Sequence, residues 1–477
     1  MSKQPLGPIT TLLDLTDRDF QDDDLFPLET ELTWFNRDRT RKTVSFSPQL
    51  QTLLYNGPAA FGQRFTFNLG STNVGDVLFG AFLEIKLGHW LDAGTRNRLD
   101  AGIYTYTDPQ TAWEYANSLG TSIIESAELE IDGVTVETID GDFINTFSLL
   151  SQDYNSQFGI AYDHIGRIPI SILREIGVRN FPTEDGTIHC PLPFFFGRVK
   201  YQDSLPLIAI KEGICRIHII LRPFSQIVRQ VRGWRNSCDS VPLQEPIMFT
   251  LPDSSKTTVL TGVAAPALDS VTLLTHGAIL DGELRQTMLR KPFEIIHRAL
   301  QTFTFDEPLK YLVSKKSDAI TIQLPLEANH PVEEIIWYVR RKGVSANNEW
   351  TNYSDTVERA WTGLDNFITK PMLINAKIQV NGITLIEADE QYFRQHIARK
   401  HKGGYVAYSN YVYGFSFAET PGEHQPTGSV NISRANSLRL TLDIYVPGGE
   451  EWEVKVFTNA INWMRFENGL ANAVFED

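Results

Sequence analysis

Cysteine is scarce in this sequence, with only Cys190, Cys215 and Cys238 in 477 residues. Three thiols are too few, and too odd in number, to staple a chain of this size, so a reducing compartment with free, mostly buried cysteines is expected. Long apolar runs are missing as well. The stretch from Ile214 to Leu221 is broken by Arg216 and His218, and nothing approaches the ~18 apolar residues of a membrane-spanning helix. Residues Met1 to Thr30 contain no apolar leader core and turn acidic at Asp22-Asp23-Asp24, which does not read as a signal peptide. Positive charge is in deficit: 43 Lys and Arg face 58 Asp and Glu, a formal charge of −15. A phosphate backbone repels such a surface, which argues against direct nucleic-acid coating as a main role.

Motifs for chemistry are lacking too. Among ten histidines there is no H-x-H or H-E-x-x-H, and no C-x-x-C, G-x-S-x-G, Walker A loop or G-x-G-x-x-G after a strand occurs. A tandem β-barrel enzyme of the bicupin type needs an H-x-H pair with a nearby Glu in each half, and neither half has one. In His189-Cys190 a base and a thiol adjacent on a strand point to opposite faces, so a buried structural Cys190 is the better reading. The cluster Arg37-Asp-Arg-Thr-Arg-Lys42 is short and contains an acid, and reads as a solvated face or an interface patch rather than a phosphate site. Asn352-Tyr-Ser354 and Asn431-Ile-Ser433 fit the N-glycosylation pattern, but without a leader the chain lacks the usual route to that modification. The sequence therefore names no catalytic, cofactor-binding or metal-binding residue, no cofactor, and no disulfide.

What is present is a folded, globular composition, 42% hydrophobic and 11% aromatic, in a length that suggests two domains of 200 or more residues. Short strands dominate: Phe65 to Leu69, Ala81 to Leu87, Ala127 to Ile131, Arg216 to Leu221, Ile320 to Leu324, Ile335 to Val339, Ala376 to Val380, Ser437 to Ile444 and Trp452 to Phe457. Most alternate apolar with polar residues between Gly, Pro, Asn and Asp, the period of antiparallel sheets with one face buried. Helical patterns are few: Gly141 to Gln152, Arg285 to Leu300 and Glu390 to Lys400.

An internal echo organises these elements. Glu128-Leu-Glu-Ile-Asp-Gly-Val-Thr-Val-Glu-Thr-Ile-Asp140 aligns without gaps to Lys377-Ile-Gln-Val-Asn-Gly-Ile-Thr-Leu-Ile-Glu-Ala-Asp389, an offset of 249 residues. Each copy reads as a hairpin turning on Asp-Gly or Asn-Gly, pairs that tolerate the positive φ of a type I′ turn, and each is followed by a helical pattern. A second echo sets Pro193 to Arg198, with strands expected from Leu205 and Cys215, beside Pro426 to Arg434, with strands from Leu438 and Trp452. Two echoes in one order favour duplication. The expected division is an arm over 1–28, a first unit over 29–245, a linker over 246–265 and a second unit over 266–477. Two loop-like excursions, His89 to Gly120 and Lys342 to Pro371, are long enough to carry contacts. About eight strands in ~200 residues suit a jelly roll better than an immunoglobulin-like sandwich.

Two jelly rolls in tandem make a resemblance visible. Tyr413-Gly-Phe-Ser-Phe-Ala-Glu-Thr-Pro-Gly-Glu-His-Gln-Pro-Thr-Gly-Ser-Val-Asn-Ile-Ser-Arg434 is similar to the Y-x-F-x-L-x-P-x-x-x-Q-P-S-G-x-x-N-F-S-R segment of the double jelly-roll major capsid proteins of nucleocytoplasmic large DNA viruses, of the iridovirus and phycodnavirus kind. Pro191 to Arg198 with Leu205 to Ile210 resembles that family's P-L-P-F-x-F-x-R and L-P-L-I-A-L pair. Phe61 to Arg64, the Glu128 hairpin, His330 to Trp337 and Trp452 to Met464 also fall in family order. Thr427 and Ile432 depart from the usual Ser and Phe, and Thr33 to Arg39 matches the Arg-rich start only loosely.

The resemblance implies an all-β chain of two eight-stranded jelly rolls, without enzymatic activity, that assembles as a homotrimer into pseudo-hexagonal capsomers tiling an icosahedral capsid. It further implies minor capsid proteins beneath the shell as partners, no direct nucleic-acid contact, and assembly into virions in the host cytoplasm. From the residues themselves, Gln425-Pro426-Thr427-Gly428 is expected to turn the chain between strands, and Arg434 to be a buried structural guanidinium rather than an anion site. A jelly-roll carbohydrate-binding protein is the alternative, supported by the loop aromatics Trp90, Tyr104, Tyr106, Trp113 and Tyr115.

Overall fold

A computed structural model describes residues 45–88, 111–151, 166, 186–198, 203–210, 214–232, 247–250, 268–306, 319–355, 370–401, 411–435, 437–445 and 451–474. The expected arm over 1–28, the Arg37 to Lys42 cluster, Trp90, Tyr104, Tyr106 and Cys238 lie outside the described residues.

In chain order the strands of the first half are β1 (Phe46–Leu54), β2 (Arg64–Leu69), β3 (Val77–Leu87), β4 (Thr111–Tyr115), β5 (Ile124–Ile131), β6 (Val134–Asp140), β7 (Gly186–Pro191), β8 (Cys215–Leu221), β9 (Val228–Arg232), β10 (Ile247–Thr250) and β11 (Leu268–Leu280). The second half holds β12 (Phe293–Asp306), β13 (Ile320–Leu326), β14 (Pro331–Arg341), β15 (Leu373–Val380), β16 (Ile383–Asp389), β17 (Val412–Ser416), β18 (Val430–Asn431), β19 (Leu438–Ile444), β20 (Trp452–Glu467) and β21 (Leu470–Ala473). The helices are α1 (Leu119–Ser122), α2 (Gly141–Ser151), α3 (Phe195–Arg198), α4 (Gly282–Arg290) and α5 (Glu390–Lys400).

Two pairs of four-stranded antiparallel paths form the two lobes, beside a three-stranded sheet β10-β9-β4. The first lobe stacks β1-β11-β3-β7 on β2-β8-β5-β6, and the second stacks β12-β20-β14-β17 on β13-β19-β15-β16. Strand for strand the orders are the same, so the chain is a double jelly roll. Inward side chains such as Phe65, Leu83, Ile217 and Leu273 in the first lobe, and Leu324, Trp337, Leu440 and Val456 in the second, are fully or almost fully buried. At ~25 cal/mol per Å² of apolar surface, these interdigitated faces are the main source of stability.

The duplication is written into irregularities as well as strand order. Between β3 and β11 the register shifts at Phe79, and between β14 and β20 it shifts at Glu333. Glu125 and Ile374 are the skipped residues where β5 meets β8 and β15 meets β19. Inside the hairpins, Val136 and Leu385 are skipped at the same point of the aligned thirteen residues. β-bulges re-aim strands at chosen places, so three shared bulges fix the correspondence residue by residue: Gly80 with Glu334, Phe82 with Ile336, Glu84 with Tyr338, Lys86 with Arg340.

The hairpin turns correspond too. Asp132 and Gly133 have φ of 55° and 82°, and Asn381 and Gly382 have 51° and 78°, the doubly positive pair of a type I′ turn. The side chain of each turn residue accepts from the chain entering the next strand, Asp132 Oδ1 from Ile214 N at 2.9 Å and Asn381 Oδ1 from Ser437 N at 3.2 Å. After each hairpin an aspartate starts an eleven-residue helix: Phe143 N donates to Asp140 Oδ1 at 2.7 Å, and Tyr392 N to Asp389 Oδ1 at 3.0 Å.

Four expectations need correction. β11 pairs with β1 and β3 of the first lobe, so the first lobe runs to Leu280 and the second begins at Phe293, not at 266. The linker expected over 246–265 contains β10, paired with β9. The helix expected from Arg285 to Leu300 stops at Arg290, because Pro292 lacks the donor needed to continue it, and Phe293 onward is strand β12. In the second echo, Leu205 starts no strand: it bridges Leu78 and leads into a 3-10 turn over Leu207–Ala209. Its counterpart is Val430, which pairs with Val332 ahead of the 3-10 turn Ile432–Arg434. The true partners of Leu438 and Trp452 are therefore β8 and β11.

Candidate functional site

The outward face of β14 shows why the two lobes form one body. Its sequence, Val-Glu-Glu-Ile-Ile-Trp-Tyr-Val-Arg-Arg, does not alternate, and every residue from Val332 to Arg341 is buried. One face packs inward while the other carries Glu334, Ile336, Tyr338 and Arg340 against the first lobe. The covering elements are α2, in which nine of eleven residues are buried, and the segment around α3.

Charged groups cross this seam in pairs. Arg340 donates to both oxygens of Asp142, at 2.8 and 3.2 Å, and to Glu453 at 2.6 Å. Lys455 reaches Asp140 and Asp142 from β20. Arg298 holds Glu333 with both ends of its guanidinium and Asp203 of the first lobe at 3.1 Å. Arg198 pairs with Glu137 in its own lobe and extends to Asn459 and the Arg298 carbonyl in the other. His424 meets Asp203 at 2.7 Å, and His401 meets Glu334 at 2.7 Å beneath the seam.

Burial and pairing pull the titrations of these groups apart. Burial alone disfavours charge on Asp142, but Arg340, Lys455 and Arg222 outweigh it and hold the carboxyl far below the usual range. Burial likewise opposes His401, and the neighbouring Glu334 carboxylate overrides it, so the ring titrates above its ordinary value. Glu137 goes the other way: burial dominates and raises it despite Arg198. His297, desolvated and beside Arg198, His330 and Arg298, is pushed down to about 4; its Nδ1 is buried with no hydrogen-bond partner.

Aromatic packing completes the seam. Phe143 lies 5.3 Å from Phe457, Tyr338 lies 4.4 Å from Tyr353, and the Arg222 guanidinium sits 4.0 Å over the Trp350 ring. Trp350 Nε1 and Asn348 Nδ2 donate to the carbonyls of Gln226 and Ser225, and Asn145 donates to the Tyr353 hydroxyl at 3.0 Å. The beginning of the excursion expected from Lys342 to Pro371 is thus a plug between the lobes. Residues 356–369 lie outside the described residues.

The residues singled out from sequence are placed as follows. His189 and Cys190 face opposite sides of β7, His189 toward Glu84 at 3.3 Å and Cys190 fully buried. Burial pushes the Cys215 thiol up to about 12. Arg434 is exposed, correcting the expectation of a buried guanidinium, because the 3-10 turn Ile432–Arg434 turns Ile432 inward instead. The chain turns at Pro421 and Gly422, where φ of Gly422 is 76°, rather than at Pro426. Thr427 closes the loop by donating to the Thr420 carbonyl and accepting from its N–H, both at 2.9 Å, a task for which the Ser hydroxyl would serve equally. Tyr115 is no loop aromatic but a buried residue of β4. Among the described residues no three His, Cys, Asp or Glu converge as a metal site, and no helix is long and apolar enough to cross a membrane.

The arrangement does mechanical work: it welds two sandwiches of the same strand order into one body. That defines a double jelly-roll structural protein. Comparison with known proteins agrees over nearly the whole length. The model for the N-terminus of major capsid proteins matches residues 33–267, and the model for the large eukaryotic DNA virus major capsid protein matches residues 285–472. The chain belongs to the major capsid proteins of large eukaryotic DNA viruses. The major capsid protein of Chrysochromulina ericina virus is 25% identical over 333 residues, 63% of this chain and 52% of that protein. That of Pyramimonas orientalis virus is 21% identical over 448 residues and 92% of each chain. Among solved structures, PBCV-1 VP54, fitted into a reconstruction of the virophage Sputnik, has a TM-score of 0.65 at 17% identity, covering 93% of this chain and all of that one. The Faustovirus major capsid protein has 0.62 at 11%, covering 97% of each.

Proposed function

We propose that three copies of this chain assemble into a capsomer of six similar jelly rolls, and that such capsomers tile an icosahedral virion shell. One observation carries this reading: the two lobes share strand order, three bulges, both hairpin turns and both helix caps, and are locked together by a buried seam. A chain of two near-identical lobes at fixed orientation presents, three times around an axis, an approximate sixfold outline. The protein acts by packing rather than by catalysis, with no resident cofactor or metal. Minor capsid proteins beneath the shell, and assembly in the host cytoplasm, are carried over from the family resemblance. The charge of −15 per chain favours soluble free capsomers and makes growth of the shell sensitive to salt through screening.

Light scattering on the purified protein tests the oligomer. Three times the chain mass at micromolar concentration in physiological salt is expected, unchanged by chelator or reductant. A monomer under those conditions contradicts it.

A further inference from the structure

The seam falls into two halves along β14, and they balance their charges differently. Around Arg340, the acids Asp140, Asp142 and Glu453 meet the cations Arg340, Lys455 and Arg222, with exposed Glu125 at the margin. Arginine and lysine keep their charge far above neutral pH, so this half stays balanced whatever the proton supply. Around Glu333 and Glu334 the permanent cations are fewer. Arg298 stands between two buried carboxylates, Glu333 at 3.1 and 3.2 Å and Asp203 at 3.1 Å, and also donates to the Glu423 carbonyl. Arg198 pairs with buried Glu137 and, through Asn459, reaches buried Glu334. Each arginine thus serves two carboxylates, and each set is completed by a histidine: His424 on Asp203 and His401 on Glu334, both at 2.7 Å. The neighbouring cations are engaged or discharged. On α5, Lys400 pairs with Glu419, and His396 accepts from Ser416 N. His330 meets Asn462, and His297, pushed down to about 4 by burial and by Arg198, His330 and Arg298, is neutral near pH 7.

We propose that the half of the seam around Glu333 and Glu334 is a proton-operated latch: it is closed while His401 and His424 carry a proton, and when they lose it the loop from Phe417 to Gly428 parts from the first lobe while the Arg340 half stays shut. His424 ties that loop to Asp203, which lies just ahead of Leu205 in the first lobe. With both rings charged, four carboxylates face two guanidiniums and two imidazoliums. With both rings neutral, two buried negative charges lack a counter-charge, a costly state in a low-dielectric site. Burial opposes charge on His401, but Glu334 outweighs it and holds the ring above its ordinary value. The contribution of such a ring is fully present below the unfolded value of about 6.5 and is lost as pH rises through the folded one. Burial raises Glu137 and Glu333 despite Arg198 and Arg298, so both are fully charged only on the alkaline side, where the histidines have given up their protons. Both effects open the latch in the same direction.

Amide hydrogen exchange of the full chain, read by mass spectrometry at about pH 6 and about pH 8.5, on either side of the histidine range, tests this. Exchange times are scaled for the intrinsic rate at each pH, and circular dichroism checks folding. Peptides over 417–428 and 203–210 should lose protection by about tenfold at the higher pH, the effect of a one-unit shift, while peptides over 342–353, in the Arg340 half, should not change. His424→Gln and His401→Gln, which cannot take a charge, should show the loosened pattern already at about pH 6. His424→Lys, at a half-exposed position that accepts the longer side chain, keeps its charge and should retain protection at the higher pH, so it decides the matter even if a glutamine variant fails to fold. Equal protection of 417–428 at both pH values overturns the latch. So does loss over 342–353 in step with it, or a His424→Lys chain that loosens as the wild type does.

Discussion

The outward faces of β14 and β3 are built on the same backbone, bulge for bulge, yet one is wholly buried and the other is open. On β14 the sequence supplies Glu334, Tyr338 and Arg340, all buried at the seam, while on β3 the same places hold Gly80, Glu84 and Lys86. The backbone of a jelly roll thus does not decide what its outer face does; the side chains chosen after duplication do. A face permanently covered within one chain has acquired buried ion pairs, whose geometry is specific and whose rupture is costly. A face left open in the single chain keeps side chains that tolerate water.

The sharpest way to break that comparison is to treat counterparts alike. Arg340→Ala strands Asp142 in a buried site and should cost about 3 to 5 kcal/mol in thermal or denaturant unfolding. Lys86→Ala, at the matching position, should stay within about 0.5 kcal/mol. Equal losses would show that the two faces are not used differently.

The turns sharpen the likeness instead. A side chain added at Gly133 or Gly382 would meet no atom within 4 Å, so only the positive φ opposes it. Gly133→Val and Gly382→Val should each cost about 1 to 3 kcal/mol, and the two values should agree by chemical denaturation. A large difference would mean that the hairpins are held by different forces.

Acid should act through the seam. His297, depressed to about 4, stays neutral in the folded chain while the unfolded chain takes up a proton below about 6.5, so stability falls as pH drops between those values. The His401–Glu334 pair behaves otherwise. Its histidine contribution is fully present below the unfolded value and is lost as pH rises through the raised folded value. Its glutamate contribution is lost only as pH falls through the lowered one. His297→Gln should therefore flatten the decline in melting temperature from pH 7 to 5; an unchanged slope would place the acid sensitivity elsewhere. The smallest effect concerns thiols: buried Cys190 and Cys215 should resist alkylation in the folded protein and react on unfolding, as a timed thiol assay would show.

Much of this was legible in the sequence because the repeated hairpin is local. Asp132-Gly133 and Asn381-Gly382 announce their turns through residue type, and Asp140 and Asp389 announce the caps. The strand β11 was not, because its partners β1 and β3 lie some two hundred residues earlier and its neighbours carry no turn signal tying it to them. Sequence order assigned it to the second lobe; hydrogen bonding assigns it to the first. The seam was hidden for a related reason. Glu333, Glu334, Arg340 and Arg341 look like surface charge in a strand, and only the partner lobe makes them interior. The run of five apolar and aromatic residues between those pairs was the available signal, since a half-exposed strand would have alternated.

Lysine footprinting asks the central question most directly. With a small acylating reagent, Lys455, paired with Asp140 and Asp142 in the seam, should be protected whether the protein is assembled or dissociated. Lys86, exposed in the single chain, should react readily under the same conditions. Equal protection of Lys86 and Lys455 would contradict the claim that the two faces are used differently.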